Sequence, residues 1–172
     1  MAQARTSDPG DPGAYGSERE AAEYRRLREQ AELWRRASEE VLDRVGLRPG
    51  MTCLDVGAGP GATMRLMAER VGPEGRVTGI DIDAGIARRA IADLRADGGA
   101  QYAFIEADVR ALDDVPGAPY DLTYCRLLLM HMPDPVAVLE KMLRWTKPGG
   151  VVAAQEFDFG SIAIEPLCPP MV

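Results

Sequence analysis

The chain has 172 residues and a formal net charge of −7 at pH 7, which permits one domain with a buried core and disfavours nucleic acid as a partner. No apolar run approaches the roughly 18 residues needed to cross a bilayer, so we expect no membrane partner. The three cysteines lack the spacing of a metal site or of a disulfide framework, so we expect no metal and a cytoplasmic location.

The N-terminal region divides into two parts. Residues 1–16 are rich in Pro, Gly and Asp, which predicts a disordered tail. Residues 17–46 combine mixed charges with apolar residues at helical spacing, which predicts a long surface helix with one buried stripe. We expect this helix to break near Ser38 and to end at Gly46. We interpret it as a packing helix and assign Trp34 to the core.

The most informative stretch is residues 54–61, LDVGAGPG, where a short apolar run contains an acid, Asp55. Glycines follow at alternate positions: Gly57, Gly59 and Gly61. Glycine has no Cβ and tolerates positive φ, so the backbone can turn sharply and a ligand can approach it closely. A helical pattern begins at Ala62, and the N-terminus of a helix suits an anion. The stretch therefore predicts a site for an anionic, nucleoside-like small molecule at the end of the first strand.

Strands and helices alternate from this loop onward. Further strands are predicted at residues 77–83, 102–105, 120–125 and 151–157, and helices at 62–71, after Asp83 and from Pro135. The alternation predicts an α/β fold, a Rossmann-like three-layer sandwich with a parallel sheet of five strands. Ligands of such sheets bind beyond the carboxyl ends of the strands, and Asp55 and Asp81 are placed there.

Four ordered signals carry a resemblance to a known family. They are LDVGAGPG at 54–61, the acid Asp81 after GI, EADV at 106–109, and the pair HMPDP at 131–135 and KPGG at 147–150. With these signals, residues 47–159 resemble the class I S-adenosylmethionine-dependent methyltransferases, especially the small-molecule branch called methyltransferase type 11 or ubiquinone/menaquinone-methyltransferase-like. The resemblance implies S-adenosyl-L-methionine as cofactor and methyl transfer to an O, N or C nucleophile of a small-molecule acceptor.

The resemblance also implies cofactor-binding residues. Asp55 would hold the methionine ammonium group, and Asp81 would accept both ribose hydroxyls. The loop residues would let the cofactor lie against the backbone: Gly57, Ala58, Gly59 and Gly61. An N-terminal helix that lies over the cofactor, as in similar enzymes, is the alternative to the packing helix.

Five further residues complete the predicted site. Ile82 would pack on the adenine face, while the Asp108 side chain and the Val109 backbone N–H would bind the base edge. Arg126 would pair with the cofactor carboxylate, with a surface ion pair as the alternative. His131, the only histidine, would act as a general base, and its alternative is a loop histidine that orders the residues after it.

The C-terminal part departs from the family pattern. The family's sheet normally has seven strands, but only thirteen residues follow Phe159, among them three prolines. We therefore expect strands six and seven to be missing. The expected division is a cofactor-binding domain over 47–160 and a truncated stub over 161–172. Without strand six, strand five would have an exposed edge that favours self-association.

Two alternative functions remain open. One is a truncated, non-catalytic cofactor-binding fragment. The weaker one is a nicotinamide-dependent dehydrogenase fragment, because Gly57, Gly59 and Ala62 also have the dinucleotide-binding spacing.

Overall fold

The computed structural model describes residues 12–96, 100–158 and 160. The strands are β1 Thr52–Val56, β2 Arg76–Asp81, β3 Gln101–Glu106, β4 Tyr120–Arg126 and β5 Thr146–Gln155. The helices are α1 Pro12–Leu33, α2 Arg35–Val45, α3 Ala62–Val71, α4 Ala84–Ala96 and α5 Pro135–Arg144, with one 3-10 turn at Leu129–His131. None of the helices in the described part of the chain has the length and apolar character needed to cross a bilayer.

All five strands are parallel, in the order β3-β2-β1-β4-β5, which confirms the predicted α/β fold. Successive residues of a strand point to opposite faces. Cys53 accordingly packs with Leu42 of α2 and Met64 of α3 on one face. Leu54 packs on the other face with residues of α5 such as Met142. The sheet therefore separates two apolar cores, and helices cover both faces.

Four helix boundaries agree with the sequence expectations. Helix α3 begins after Gly61, whose φ is 76°, and ends before Gly72, whose φ is 67°. Gly46 ends α2 in the left-handed conformation, which glycine adopts without a Cβ clash. Asp83 caps α4, because its Oδ1 accepts the backbone N–H groups of Gly85 at 2.8 Å and Ile86 at 3.0 Å. The sequence also predicts that α4 stops at the glycine pair 98–99, and this pair lies outside the described residues.

The N-terminal helices differ from the prediction in two ways. Helix α1 begins at Pro12, within the stretch that the sequence predicts to be disordered, and residues 1–11 lie outside the described residues. The break between α1 and α2 is at Trp34 and not near Ser38. Ser38 lies within α2, where its backbone N–H donates to the Trp34 carbonyl at 3.0 Å and its fully buried side chain donates to Gln155 of β5.

Helix α1 is attached to α4 through one carboxylate. The hydroxyl of Tyr24 donates to Asp93 Oδ2 at 2.7 Å, and the Arg28 guanidinium lies 3.0 Å from the same oxygen. Tyr24 also packs with Ile86 and Ala90 in a small apolar cluster. These contacts fix the position of α1 over the end of the sheet.

Strand β5 begins at Thr146, earlier than the predicted start at residue 151. Thr146 pairs with Tyr120 and Val151 pairs with Leu122, so the register shifts between the two pairs. Residues 147–150, which were predicted to precede the strand, therefore form an irregularity within it, because the backbone on either side of them keeps its pairing with β4. Among the described residues β5 pairs with β4 alone, so its other edge is free.

Candidate functional site

Two neighbouring cavities lie at the carboxyl ends of the strands, where the strand order reverses between β1 and β4. The main cavity has a volume of about 440 Å³, within the usual range for small-molecule sites, and its lining includes Asp55, Gly57, Ala58, Gly59, Arg126 and His131. The side cavity has a volume of about 190 Å³, and its lining includes Ile82, Asp108 and Val109. Asp81 lines both cavities. The structure thus brings together every predicted site residue except Gly61.

Gly61 faces helix α4 instead. A Cβ at this position would lie 2.8 Å from Leu94 Cδ1, and the φ of 76° is unfavourable for any other residue. Close helix packing therefore explains this glycine. Gly59 differs, because an added Cβ would meet no heavy atom of the described residues within 4 Å. At Gly59 the backbone is open to the main cavity.

Asp55 lies in β1 beside the main cavity and is buried, with only 2% of its surface exposed. Its Oδ2 has no hydrogen-bond partner among the described residues. Burial raises the pKa of Asp55 to about 7, an effect that Arg126 opposes and Asp81 reinforces. A buried carboxylate oxygen without a donor is unfavourable, so the Oδ2 of Asp55 fits a cationic or hydrogen-bonding ligand group.

Asp81 organises the glycine loop from the end of β2. Its Oδ2 accepts the Gly59 N–H at 2.8 Å, and its Oδ1 accepts the Asp83 N–H at 3.0 Å. Each carboxylate oxygen can accept more than one hydrogen bond. Asp81 can therefore hold the loop and still accept two hydroxyl donors where the cavities meet.

Asp108 is engaged differently from the prediction. Its carboxylate makes a two-oxygen contact with the Arg110 guanidinium, with the shortest distance at 2.6 Å. Hydrogen bonds from the Arg110 side chain and backbone lower the pKa of Asp108 to about 2. Binding of an adenine edge by the Asp108 side chain would therefore have to compete with the ion pair to Arg110. The neighbouring Ile82 is 66% exposed at the side cavity, while Val109 is buried.

Arg126 belongs to a hydrogen-bond network that the sequence analysis missed. Its Nη1 donates to Ser38 Oγ at 3.1 Å, and Ser38 donates to Gln155 Oε1 at 3.1 Å. The same Oε1 accepts the Tyr124 hydroxyl at 2.5 Å. The network joins α2 to the ends of β4 and β5 and holds Arg126 beside Asp55. No motif signals it, because it depends on three distant segments meeting in space.

The loop after β4 has an unusual backbone. Leu127 has a φ of 52°, a conformation that costs a bulky residue about 1–3 kcal/mol and is concentrated at functional sites. His131 follows in the 3-10 turn, is exposed, and lines both cavities. The loop therefore places the only histidine at the junction of the cavities.

Helix α1 supplies a wall of the main cavity, a position that was predicted only as the alternative to a packing helix. The wall residues on α1 are Arg26, Leu27, Gln30 and Ala31, and Trp34 at the break between α1 and α2 adjoins them. Trp34 is half-buried rather than in the core, and its ring meets that of Phe157 edge to face at 4.8 Å. An apolar helical stripe predicts that a face is covered, but not whether protein or ligand covers it.

No group of three or more His, Cys, Asp or Glu side chains in the described part of the chain could hold a metal ion.

A model of a family described as "Methyltransferase domain" matches residues 47–168, which is more than half of the chain. The chain belongs to this methyltransferase domain family.

Individual relatives agree with this family. A trans-aconitate 2-methyltransferase from Azoarcus sp. (strain BH72) is 38% identical over 120 residues, covering 70% of this chain and 44% of that protein. A SAM-dependent methyltransferase from Aquifex aeolicus has a similar fold, with a TM-score of 0.63 and 24% identity over 77% of this chain and 69% of that one. The cyclase SpnF has a TM-score of 0.61 and 26% identity over 70% of this chain and 44% of that one. The chain spans about half or less of the length of the curated relatives that it matches.

Proposed function

We propose that the two cavities bind S-adenosyl-L-methionine and that the domain takes part in methyl transfer to an O, N or C nucleophile of a small molecule. The observation that carries this proposal is the buried, unpartnered carboxylate oxygen of Asp55, beside the open backbone of Gly59. This combination offers a partner for an ammonium group and space for a ligand chain against the main chain. When bound, the cofactor supplies a methyl group activated by its sulfonium.

In this proposal the residues of the strand ends bind and orient the cofactor. Asp55 pairs with its ammonium group, and Arg126, held by Ser38, pairs with its carboxylate. Asp81 accepts the two ribose hydroxyls, and the side cavity takes the adenine against Ile82 and the Val109 backbone. Asp108 contributes to base binding only if the Arg110 ion pair opens. The glycine loop lets the ligand approach, with Gly61 acting through helix packing.

The acceptor side is formed by α1 and the loop after β4. Trp34 and Gln30 exclude water from the main cavity, which favours alignment of the reacting groups. His131 lines the main cavity, and in this proposal it removes a proton from a hydroxyl or amine acceptor. The name of the relative from Azoarcus supports a small-molecule acceptor.

The setting of the domain is part of the same proposal. Cys53 and Cys125 are free and buried, which fits a reducing compartment such as the cytoplasm. The net charge of −7 supports an acceptor other than nucleic acid. The free edge of β5 supports self-association.

A second candidate is a cofactor-binding module without methyl-transfer activity of its own. One observation favours it: the cyclase SpnF has a similar fold, so this architecture also serves other reactions. Turnover of any acceptor by this chain would exclude it. A change of NADH fluorescence on mixing would instead revive the nicotinamide alternative.

Isothermal titration with S-adenosylhomocysteine tests the proposal. We expect saturable binding by the wild-type chain, and Asp81→Asn should weaken it by about 1–3 kcal/mol, the cost of disturbing a buried polar contact. Glu106→Gln is the matched control, because this exposed acid also ends a strand. Folded wild-type protein that shows no heat of binding would refute the proposal.

A further inference from the structure

The end of β5 binds three consecutive backbone N–H groups of the loop after β4. The backbone oxygen of Gln155 accepts the N–H of Leu127 at 2.9 Å. The side chain of Glu156, the next residue, accepts the N–H groups of Leu128 at 3.0 Å and Leu129 at 2.8 Å through the same Oε1. A carboxylate that accepts two backbone N–H groups makes strong, charge-assisted hydrogen bonds.

These contacts act on the part of the loop with the least favourable backbone. Leu127 has a φ of 52°, so the loop needs external contacts to hold its shape. Leu128 then lies across the glycine loop, since a Cβ added at Gly57 would be 2.9 Å from Leu128 Cδ1. Leu128 and His131 line both cavities. The conformation of the loop therefore determines the shape of the cavity wall.

Glu156 is also an unfavourable residue to place here. Its Oε2 is buried and has no hydrogen-bond partner among the described residues. Leaving a carboxylate oxygen unsatisfied destabilises the fold, so packing alone does not explain a glutamate at this position. Its contribution lies in the two N–H groups that it holds.

We propose that Glu156 is a positioning residue that acts through the N–H groups of Leu128 and Leu129. It keeps the loop after β4 in the conformation that lines the main cavity, and it thereby sets the affinity of that cavity for its ligand. The affinity part of this inference rests on the proposed function, whereas the loop part does not.

Glu156→Ala and Glu156→Gln test the inference. The alanine variant should bind S-adenosylhomocysteine about tenfold more weakly, the equivalent of one lost hydrogen bond to a charged acceptor. The glutamine variant should stay within about threefold of wild type, because its carbonyl oxygen can accept both N–H groups. In the alanine variant, backbone amide exchange should accelerate at Leu128 and Leu129 and stay unchanged at Tyr124 within β4.

Glu140→Ala is the control, because Glu140 is exposed on α5 and should leave affinity and exchange unchanged. A lower melting temperature of Glu156→Ala with wild-type affinity and wild-type exchange at Leu128 and Leu129 would overturn the inference. Equal weakening in the alanine and glutamine variants would overturn it as well. If the wild-type chain binds no S-adenosylhomocysteine, the proposed function fails, and amide exchange still decides whether Glu156 holds the loop.

Discussion

At the residue scale, Asp55 links burial to ligand chemistry. Its carboxyl group is almost fully buried at the end of β1, and Arg126 from β4 and Asp81 from β2 are the charged groups that influence its titration. Burial outweighs the positive charge of Arg126, so the pKa rises to about 7. The neutral form is therefore well populated in the free protein near neutral pH.

We expect S-adenosylhomocysteine to bind more tightly as the pH rises through about 7. Below that value Asp55 is protonated and cannot pair with an ammonium group, and above it the carboxylate is ionised. Because the bound cation lowers the pKa of Asp55, binding releases a proton in this range, and affinity rises by up to about tenfold per pH unit. Titration calorimetry at about pH 6 and about pH 8 measures the effect. Asp55→Asn should remove it, and a wild-type affinity that is the same at both pH values would contradict the assignment.

Gly59 and Gly61 should respond differently to alanine. Both have positive φ, so each substitution costs about 1–2 kcal/mol of backbone strain. Gly61→Ala adds a clash with Leu94 of α4 and should lower the free energy of unfolding further, by about 1–3 kcal/mol. Gly59→Ala places its methyl group in the main cavity and should weaken ligand binding. Urea unfolding and calorimetry separate the two effects, and an affinity loss confined to Gly61→Ala would reverse the assignment.

At the scale of elements, Lys141 connects α5 to the loop after β3. Its Nζ donates to three backbone carbonyl groups, those of Val109 at 3.2 Å, Arg110 at 2.6 Å and Leu112 at 2.7 Å. An ammonium group has three donors, so all of them are used. This contact shapes the wall of the side cavity.

Lys141→Met should therefore destabilise the domain by about 1–3 kcal/mol, since three carbonyl groups lose a charged donor. The midpoint of urea unfolding measures this loss, and calorimetry with S-adenosylhomocysteine should show weaker binding because Val109 lines the side cavity. Arg144→Met, an exposed position on the same helix, is the control. Equal midpoints for the two variants would show that the Lys141 contacts contribute nothing.

The elements also show what the sequence could predict. Helix α3 was predicted with its observed bounds because glycines stop it at both ends, and local backbone chemistry is readable from local residues. The predicted start of β5 was wrong because KPGG has the composition of a turn. These residues join the strand through pairing with β4, which is a non-local interaction. The wall formed by α1 and the link from Ser38 to Arg126 depend on distant segments, which helical periodicity does not specify.

For the whole molecule, the strand order places the predicted acids at one crevice, which is why a motif search could locate most of the candidate site. The same order leaves β5 with a free edge in the described part of the chain. Unpaired N–H and C=O groups of an edge strand can pair with a second chain.

We expect self-association that increases with protein concentration, measured by sedimentation velocity. Ala154→Lys should reduce it, because a lysine on an edge strand disfavours edge-to-edge pairing and Ala154 is exposed. Ala92→Lys is the control, because Ala92 is exposed on α4, which packs against β3 at the opposite end of the strand order. A wild-type chain that stays monomeric at every concentration would contradict the proposal.

The attachment of α1 has a kinetic consequence. Asp93 of α4 holds both Tyr24 and Arg28, yet it does not contact the cavity that α1 helps to enclose. Loss of the Asp93 contacts should shorten the residence time of a bound ligand, although the residues that contact the ligand stay the same. Stopped-flow release from Asp93→Asn would therefore run faster than from the wild-type chain, and an unchanged release rate would mean that α1 does not gate the exit.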